Sequence, residues 1–213
     1  MTPLEQSVAA AKICELAPVV PVLVITDASK AASLARALVA GGLPALEVTL
    51  RTPAALDAIR AMAAVQGGVV GAGTLLTRDD VFAAKEAGAT FGVSPGATDL
   101  LLAACEEARL PLLPGAATAS EVMMLLEKGY SVQKFFPAEA AGGASALKSI
   151  GAPLPQVKFC PTGGVSPSNA SQYLALSNTL CVGGSWVAPS DAVAAGDWSR
   201  IEALARTAAA LPR

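Results

Sequence analysis

The sequence predicts an α/β protein built as one (β/α)8 TIM barrel over residues 1–213, with an extra N-terminal helix. A short apolar segment followed by a helical segment recurs about eight times along the chain, the number of units that closes such a barrel. The apolar segments are short and bounded by Gly and Pro, as expected of parallel strands that helices cover on the outside. The length of 213 residues also fits, since one barrel commonly takes roughly 200–250 residues.

The first half of the chain begins with an Ala-rich amphipathic stretch, Met1 to Ala17, which we expect to form the extra helix. A β-branched run at 18–25 then predicts a strand, and an Ala- and Leu-rich segment at 29–39, closed by Gly41 and Gly42, predicts a helix. The next three units repeat this pattern, with strands predicted at 45–50, 69–73 and 91–94 and helices at 53–65, from about 77, and at 99–108.

The second half supplies four more units. Strands are predicted at 110–113, 132–136, 157–160 and 180–183, and helices at 120–128, 144–150, 168–176 and 197–211. A doubly wound open sheet is the structural alternative. It is disfavoured because no strand is followed by G-x-G-x-x-G or G-x-x-x-x-G-K-[ST], the nucleotide-binding patterns common in open sheets. No linker or low-complexity segment interrupts the chain, so one domain is the simplest prediction.

Composition excludes several classes of function. Lys and Arg are scattered and the net charge is −2, which predicts neither nucleic-acid binding nor a polybasic membrane patch. No apolar run approaches the roughly 18 residues of a membrane span. The four cysteines lie apart among apolar neighbours, which predicts reduced core residues and a cytoplasmic protein. Histidine is absent, so Ser-His-Asp chemistry and nearly all catalytic zinc sites are excluded, and we expect neither metal nor cofactor.

One lysine stands out, Lys134 in the apolar run Ser131 to Ala138. In a strand, Lys134 shares a face with Val132 and Phe136. Desolvation on that face disfavours the ammonium form and leaves a neutral amine able to attack a carbonyl, so Lys134 is the candidate Schiff-base nucleophile. The alternative is an edge-strand lysine whose amine reaches water.

Polar residues follow other predicted strands at the ends where barrel active sites lie. Glu47, Thr49 and Arg51 share one side of the second strand, which offers a carboxylate base and a guanidinium anion clamp. A structural ion pair between Glu47 and Arg51 is the alternative. The third strand ends at Gly71-Ala72-Gly73-Thr74, where small residues permit close approach by a substrate. Ser94-Pro95-Gly96 and Pro114-Gly115 are expected to be turns, and for Pro114-Gly115 a turn alone is the favoured interpretation.

Two glycine-rich loops follow the last two predicted strands, one at Thr162-Gly163-Gly164 and the other at Gly183-Gly184-Ser185. Each Gly-Gly pair taken alone indicates only a turn. Loops at these two strands commonly bind phosphate in barrels, so together they favour a phosphate site.

These residues closely resemble the 2-keto-3-deoxy-6-phosphogluconate (KDPG) aldolase family, class I aldolases of the Entner-Doudoroff pathway. The resemblance covers nearly the whole chain and includes Leu-Glu-Val-Thr-Leu-Arg-Thr from Leu46 and Gly-Ala-Gly-Thr from Gly71. Its most specific parts are Lys-Phe-Phe-Pro-Ala-Glu from Lys134 and Cys-Pro-Thr-Gly-Gly from Cys160.

The resemblance implies a role for each site residue. Lys134 would be the Schiff-base lysine and Glu47 the general acid/base, while Arg51 and Thr74 would bind the substrate carboxylate. Pro95, Phe136 and Thr162 are placed in the substrate site, and the expected phosphate binders are Gly163, Gly164, Gly184 and Ser185. It also implies a sugar-acid phosphate substrate, no cofactor and a homotrimer.

Three functions remain possible on the sequence. The first is cleavage of 2-keto-3-deoxy-6-phosphogluconate to pyruvate and glyceraldehyde 3-phosphate, together with cleavage of 4-hydroxy-2-oxoglutarate to pyruvate and glyoxylate. The second is an aldolase specific for the galactonate epimer. The third is a non-catalytic sugar-phosphate-binding barrel, which the combination of Lys134 and Glu47 disfavours.

Overall fold

The computed structural model describes residues 1–213, in which strands and helices alternate almost throughout. The strands are β1 Val19–Leu23, β2 Ala45–Thr49, β3 Val69–Gly73, β4 Phe91–Val93, β5 Leu112–Leu113, β6 Gly115–Ala116, β7 Val132–Phe135, β8 Lys158–Pro161 and β9 Val182–Gly184. The helices are α1 Pro3–Cys14, α2 Ala31–Ala40, α3 Ala55–Ala63, α4 Arg78–Glu86, α5 Asp99–Ala108, α6 Ala119–Glu127, α7 Gly143–Gly151, α8 Ala170–Leu174, α9 Ser190–Ala195 and α10 Trp198–Ala209.

The strands pair in parallel and form two sheets. Six strands lie in the order β5-β4-β3-β2-β1-β9, and three lie in the order β6-β7-β8. Single bridges from Phe159 to Thr179 and from Thr162 to Gly183 link the β8 segment to the β9 segment. The parallel sheet therefore curls, and parallel strands require the helical crossovers found between them.

Pro114 corrects one prediction, because Pro114-Gly115 is not simply a turn. Gly115 and Ala116 continue as a strand opposite Lys134 and Phe135 of β7. Proline has no N–H to donate to a ladder, and the Pro114 carbonyl accepts a bond from Lys134 N at 2.8 Å. The chain thus changes its pairing partner from β4 to β7 at this residue.

The core has two layers. A cluster of 48 buried residues fills the space between strands and helices, and a cluster of 10 lies inside the curl of the sheets. The inner cluster combines Val20, Ala45 and Phe91 of the six-stranded sheet with Val132 and Cys160 of the three-stranded sheet. The inner faces of the two sheets therefore meet, which is what brings side chains of distant strands together.

Helix α1 closes the end of this inner layer where the strands begin. Ala10 and Cys14 belong to the inner cluster, and Gln6 accepts a bond from Leu112 N at 3.1 Å. Ser7 donates to the Gly129 carbonyl and accepts from Ser131 N. All four cysteines are free and buried, as predicted.

Local signals explain where several helices begin. Thr77 and Thr118 each form a capping box with the acidic residue three positions later, Asp80 and Glu121 respectively, which satisfies amides that the helix cannot. Helix α9 is not predicted by the sequence pattern, and α8 is shorter than predicted, because helices of six and five residues present too few turns for a clear periodicity. None of the helices has the length and apolarity that crossing a bilayer requires.

Candidate active site

Lys134 lies on β7 with its side chain inside the curl of the sheets. β7 pairs with β6 on one side and β8 on the other, so the edge-strand alternative is wrong. The residue is only 5% exposed, and its Nζ lies 5.3 Å from the centre of the Phe136 ring. Val132 lies in the inner cluster and Phe135 in the outer one, and the Phe136 ring lies near the Lys134 amine. Lys134 therefore shares its face with Val132 and Phe136, as predicted.

Glu47, on β2, is the partner of Lys134. The Lys134 Nζ donates to Glu47 Oε1 at 3.2 Å, and both side chains are buried. Burial raises the pKa of Glu47, while the positive charge of Lys134 opposes that shift. Glu47 also borders a largely apolar cavity of about 10 Å³, which is lined in addition by Ala10 and Cys14 of α1. A nucleophile and a carboxylate with a raised pKa thus lie within hydrogen-bonding distance.

Gly73 lies next to this pair, at a position where the Glu47 carboxylate leaves no room for a side chain. A Cβ at position 73 would lie 2.2 Å from Glu47 Oε1 and 2.7 Å from its Cγ. The absence of a side chain therefore makes room for the Glu47 carboxylate. The register that sets Glu47 beside Gly71 leaves Gly73 two residues closer to the carboxyl end of β3. Only that pairing could have revealed the contact.

Arg51 lies just beyond β2 and pairs with Thr74, not with Glu47. Its Nε donates to Thr74 Oγ1 at 3.2 Å, so the predicted alternative of a Glu47–Arg51 ion pair is wrong. Thr74 has a φ of 62°, a backbone conformation that residues other than glycine rarely adopt. Such strain persists where the surrounding structure enforces it and is common at functional sites.

Thr162 and the two glycine-rich loops lie at the carboxyl ends of β8 and β9. Gly163 and Gly164 have positive φ values of 100° and 77°, and their amides donate to no backbone or side-chain acceptor of the chain. Ser185 is exposed, and its amide likewise has no acceptor. Thr162 is 6% exposed and is bridged to Gly183. Amides arranged in this way can bind an anion.

Gly183 and Gly184 have packing roles in addition to any contact with a ligand. A Cβ at position 183 would lie 2.3 Å from Thr162 Oγ1, and one at position 184 would lie 1.8 Å from the Trp186 ring. Ser185 and Trp186 also border a cavity of about 590 Å³ that extends between β1, α2 and α9.

Pro95 lies at the end of β4, half-buried, and its backbone contacts Gly115. A Cβ at position 115 would lie 2.3 Å from the Pro95 carbonyl carbon and oxygen. The predicted turn at Ser94-Pro95-Gly96 is observed as a bend.

The contacts described above bring Lys134, Glu47 and Phe136 into one group and Arg51 and Thr74 into another.

Comparison with known proteins identifies relatives along nearly the whole chain. The profile of a family described as KDPG and KHG aldolase matches residues 10–204. The 2-dehydro-3-deoxy-phosphogluconate aldolase of Pseudoalteromonas atlantica is 53% identical over 194 residues, which cover 91% of this chain and 90% of that protein. The KHG/KDPG aldolase of Escherichia coli (strain K12) is 52% identical over 200 residues, which cover 93% of this chain and 94% of that protein.

Solved structures of aldolases also match nearly the whole chain. The 2-keto-3-deoxy-6-phosphogluconate aldolase of Zymomonas mobilis, solved with 3-phosphoglycerate, superposes with a TM-score of 0.90 at 51% identity and covers 95% of each chain. The KDPG aldolase of Legionella pneumophila, solved with pyruvate captured as a covalent carbinolamine intermediate, superposes with a TM-score of 0.91 at 45% identity. That match covers 94% of this chain and 98% of the other.

Proposed function

The chain belongs to the family of KDPG and KHG aldolases, and we propose from its site how it works as a class I carbon–carbon lyase. It cleaves 2-keto-3-deoxy-6-phosphogluconate to pyruvate and glyceraldehyde 3-phosphate, and 4-hydroxy-2-oxoglutarate to pyruvate and glyoxylate. The observation that carries the proposed mechanism is the buried contact of 3.2 Å between Lys134 Nζ and Glu47 Oε1. It pairs an amine nucleophile with a group that can take up its proton.

The reaction begins at the C2 ketone. Glu47 accepts a proton from the Lys134 ammonium, and the neutral amine adds to C2 to give a carbinolamine. Glu47 returns that proton to the carbinolamine hydroxyl, which leaves as water, so a protonated imine forms and the Glu47 carboxylate is regenerated. The raised pKa of Glu47 suits this step, because a more basic carboxylate is a better proton acceptor.

Cleavage uses the imine as an electron sink. Glu47, acting directly or through a water molecule, removes the C4 hydroxyl proton, the C3–C4 bond breaks, and its electrons move into the imine to form an enamine. The aldehyde product leaves, the enamine is protonated at C3, and hydrolysis releases pyruvate and regenerates Lys134. The protonated imine withdraws electrons as a Lewis-acidic metal would, so this mechanism needs no metal ion.

Substrate binding is assigned to the polar groups around the pair. We propose that Arg51 and Thr74 bind the substrate carboxylate, and that the second anion, the phosphate, is bound by Gly163, Gly164, Gly184 and Ser185. The unpaired amides of Gly163, Gly164 and Ser185 support this assignment. Pro95, Phe136 and Thr162 would line the substrate between these two ends.

Trapping the imine tests the role of Lys134. Incubation with pyruvate and borohydride should add one reduced pyruvyl group, on the peptide that contains Lys134, and Lys134→Arg should abolish the adduct. Lys158→Arg is the matched control, since Lys158 lies on the neighbouring strand β8 and donates to the Ser177 carbonyl instead. An adduct on another lysine, or undiminished cleavage by Lys134→Arg, would exclude the mechanism.

Specificity for the gluconate epimer is also proposed. A structure described as native KDPGal matches at 26% identity with a TM-score of 0.76, well below the KDPG aldolases above. Cleavage rates for the two phosphorylated epimers should therefore differ in favour of the gluconate. A faster rate with the galactonate epimer would contradict this assignment.

We further infer that residues 1–213 form one closed (β/α)8 barrel that α1 caps. The two bridges between the β8 and β9 segments support closure on one side, and Pro114, the only residue between β5 and β6, supports it on the other. A cytoplasmic location is part of the same proposal, because buried free thiols are typical of proteins in a reducing compartment.

A homotrimer is proposed as the working assembly. Leu76, Leu100 and Met123 are 59%, 83% and 49% exposed. Leu76 and Leu100 lie near the starts of α4 and α5, and Met123 lies in the middle of α6. An apolar surface of this kind suits a subunit interface. Light scattering should give the mass of a trimer, and Leu100→Glu should lower it. A monomeric unmodified protein would refute the proposal.

A further inference from the structure

Hydrogen bonds from neighbouring segments hold three successive carbonyls of the turn at Gly163 and Gly164. Ala138 N donates to the Thr162 carbonyl at 2.8 Å, and Glu139 N donates to the Gly163 carbonyl at 3.0 Å. The side chain of Asn169 donates to the Gly164 carbonyl at 3.1 Å. Every carbonyl of the turn is therefore fixed by a neighbouring segment.

These bonds determine where the amides point. In a trans peptide unit the C=O and the following N–H lie on opposite sides of the chain. The Thr162 carbonyl points toward the segment that follows β7, so the Gly163 amide points away from that segment, and the Gly163 carbonyl fixes the Gly164 amide in the same way. Both amides lack acceptors within the chain, so the arrangement presents them together to one ligand atom or group.

Asn169 is itself fixed in place. Its Oδ1 accepts a bond from Ser166 N at 2.8 Å, while its Nδ2 binds the Gly164 carbonyl. One amide side chain thus spans the loop between β8 and α8 and fixes the Gly164–Val165 peptide, which follows directly after the two glycine amides.

Glu139 supports the turn by packing as well as through its backbone. A Cβ at position 164 would lie 2.6 Å from Glu139 Cγ, so the Glu139 side chain lies directly against Gly164. Its carboxylate accepts a hydrogen bond from the buried hydroxyl of Tyr173, on α8. Burial, followed by the bond to Glu139 and its charge, raises the pKa of Tyr173. This bond ties the Glu139 side chain to α8.

We propose that Asn169 and the Glu139–Tyr173 pair are positioning residues that hold the Gly163-Gly164 turn in the shape that presents its amides to the substrate phosphate. The inference rests on the phosphate site of the proposed function. None of the three side chains needs to touch the substrate, because each acts through the turn.

The two substrates provide the test, since 4-hydroxy-2-oxoglutarate forms the same imine but has no phosphate. Tyr173→Phe and Asn169→Ala should each raise KM for 2-keto-3-deoxy-6-phosphogluconate about tenfold, the equivalent of one hydrogen bond. Their kcat/KM for 4-hydroxy-2-oxoglutarate should change less than about twofold, because imine formation does not use the turn. Glu139→Gln keeps an oxygen that can accept a hydrogen bond from Tyr173. Its KM for 2-keto-3-deoxy-6-phosphogluconate should therefore lie closer to that of the unmodified enzyme than the KM of Glu139→Ala does.

Matched controls lie elsewhere in the chain. Tyr130→Phe removes another buried hydroxyl, one that has no hydrogen-bond partner, and Asn178→Ala removes an amide that donates to the Leu147 carbonyl. Both should leave KM for the phosphorylated substrate unchanged.

Three results would overturn the inference: an unchanged KM in both test variants, an equal loss with both substrates, or an equal loss in the controls. If Asn169→Ala does not fold, Tyr173→Phe decides alone, because it removes a single oxygen atom. A different result would refute the proposed function, namely that the unmodified enzyme cleaves neither substrate.

Discussion

Replacing Gly73 with alanine tests whether room for the Glu47 carboxylate limits catalysis. The added Cβ would lie 2.2 Å from Glu47 Oε1, about 1 Å closer than non-bonded atoms allow, so the carboxylate must move by roughly that distance. A displacement of about 1 Å in a catalytic group costs about 10²-fold in rate. We therefore expect kcat to fall about 10²-fold. Borohydride trapping of pyruvate at Lys134 should largely persist, since the amine itself is not displaced.

Gly71→Ala is the control, because it makes the same change on the same strand. Its Cβ would lie 2.4 Å from the Phe91 ring instead of near Glu47. Thermal unfolding should show that both variants lose stability, and steady-state kinetics should show the large loss of kcat only for Gly73→Ala. A fully active, folded Gly73→Ala enzyme would refute the reasoning, and so would equal losses of kcat in the two variants.

Three further predictions concern the same site. Glu47→Gln removes the proton acceptor and should slow turnover by about 10²- to 10⁴-fold, whereas trapping at Lys134 should partly survive; near-normal turnover would make Glu47 structural. Because burial raises the pKa of Glu47 and the base must be ionised, activity should fall as the pH drops through a value above the usual glutamate pKa of about 4.3. Rate profiles should show that this acidic limb is absent in Glu47→Gln, and a limb shared by both enzymes would assign it to another group. Ser185→Ala should weaken binding of the phosphorylated substrate by about 1–3 kcal/mol, with little effect on 4-hydroxy-2-oxoglutarate, and equal KM changes for both would place the phosphate elsewhere.

Local sequence signals predicted most of the fold. The β-branched runs and the Ala-rich helices determine their own backbone states, so β3 at Val69–Gly73 and α5 at Asp99–Ala108 were predicted to the residue. The period of two placed Lys134 on the same face as Val132 and Phe136 for the same reason. The prediction at Pro114-Gly115 was wrong, because the tendency of these residues to turn was overridden by pairing with β7.

The contacts of the site were decided only by the tertiary structure. Sequence patterns placed Lys134 and Glu47 each in a strand, but the contact between residues 87 positions apart depends on how β2 and β7 face one another. The same holds for Gly73 beside Glu47, and for Asn169 and Tyr173 around the Gly163-Gly164 turn. Propensity and periodicity act over a few residues, whereas strand register and the curl of the sheets determine which side chains meet. The sequence by itself therefore determined the elements and the chemical groups, and the packing of those elements determined which groups became partners.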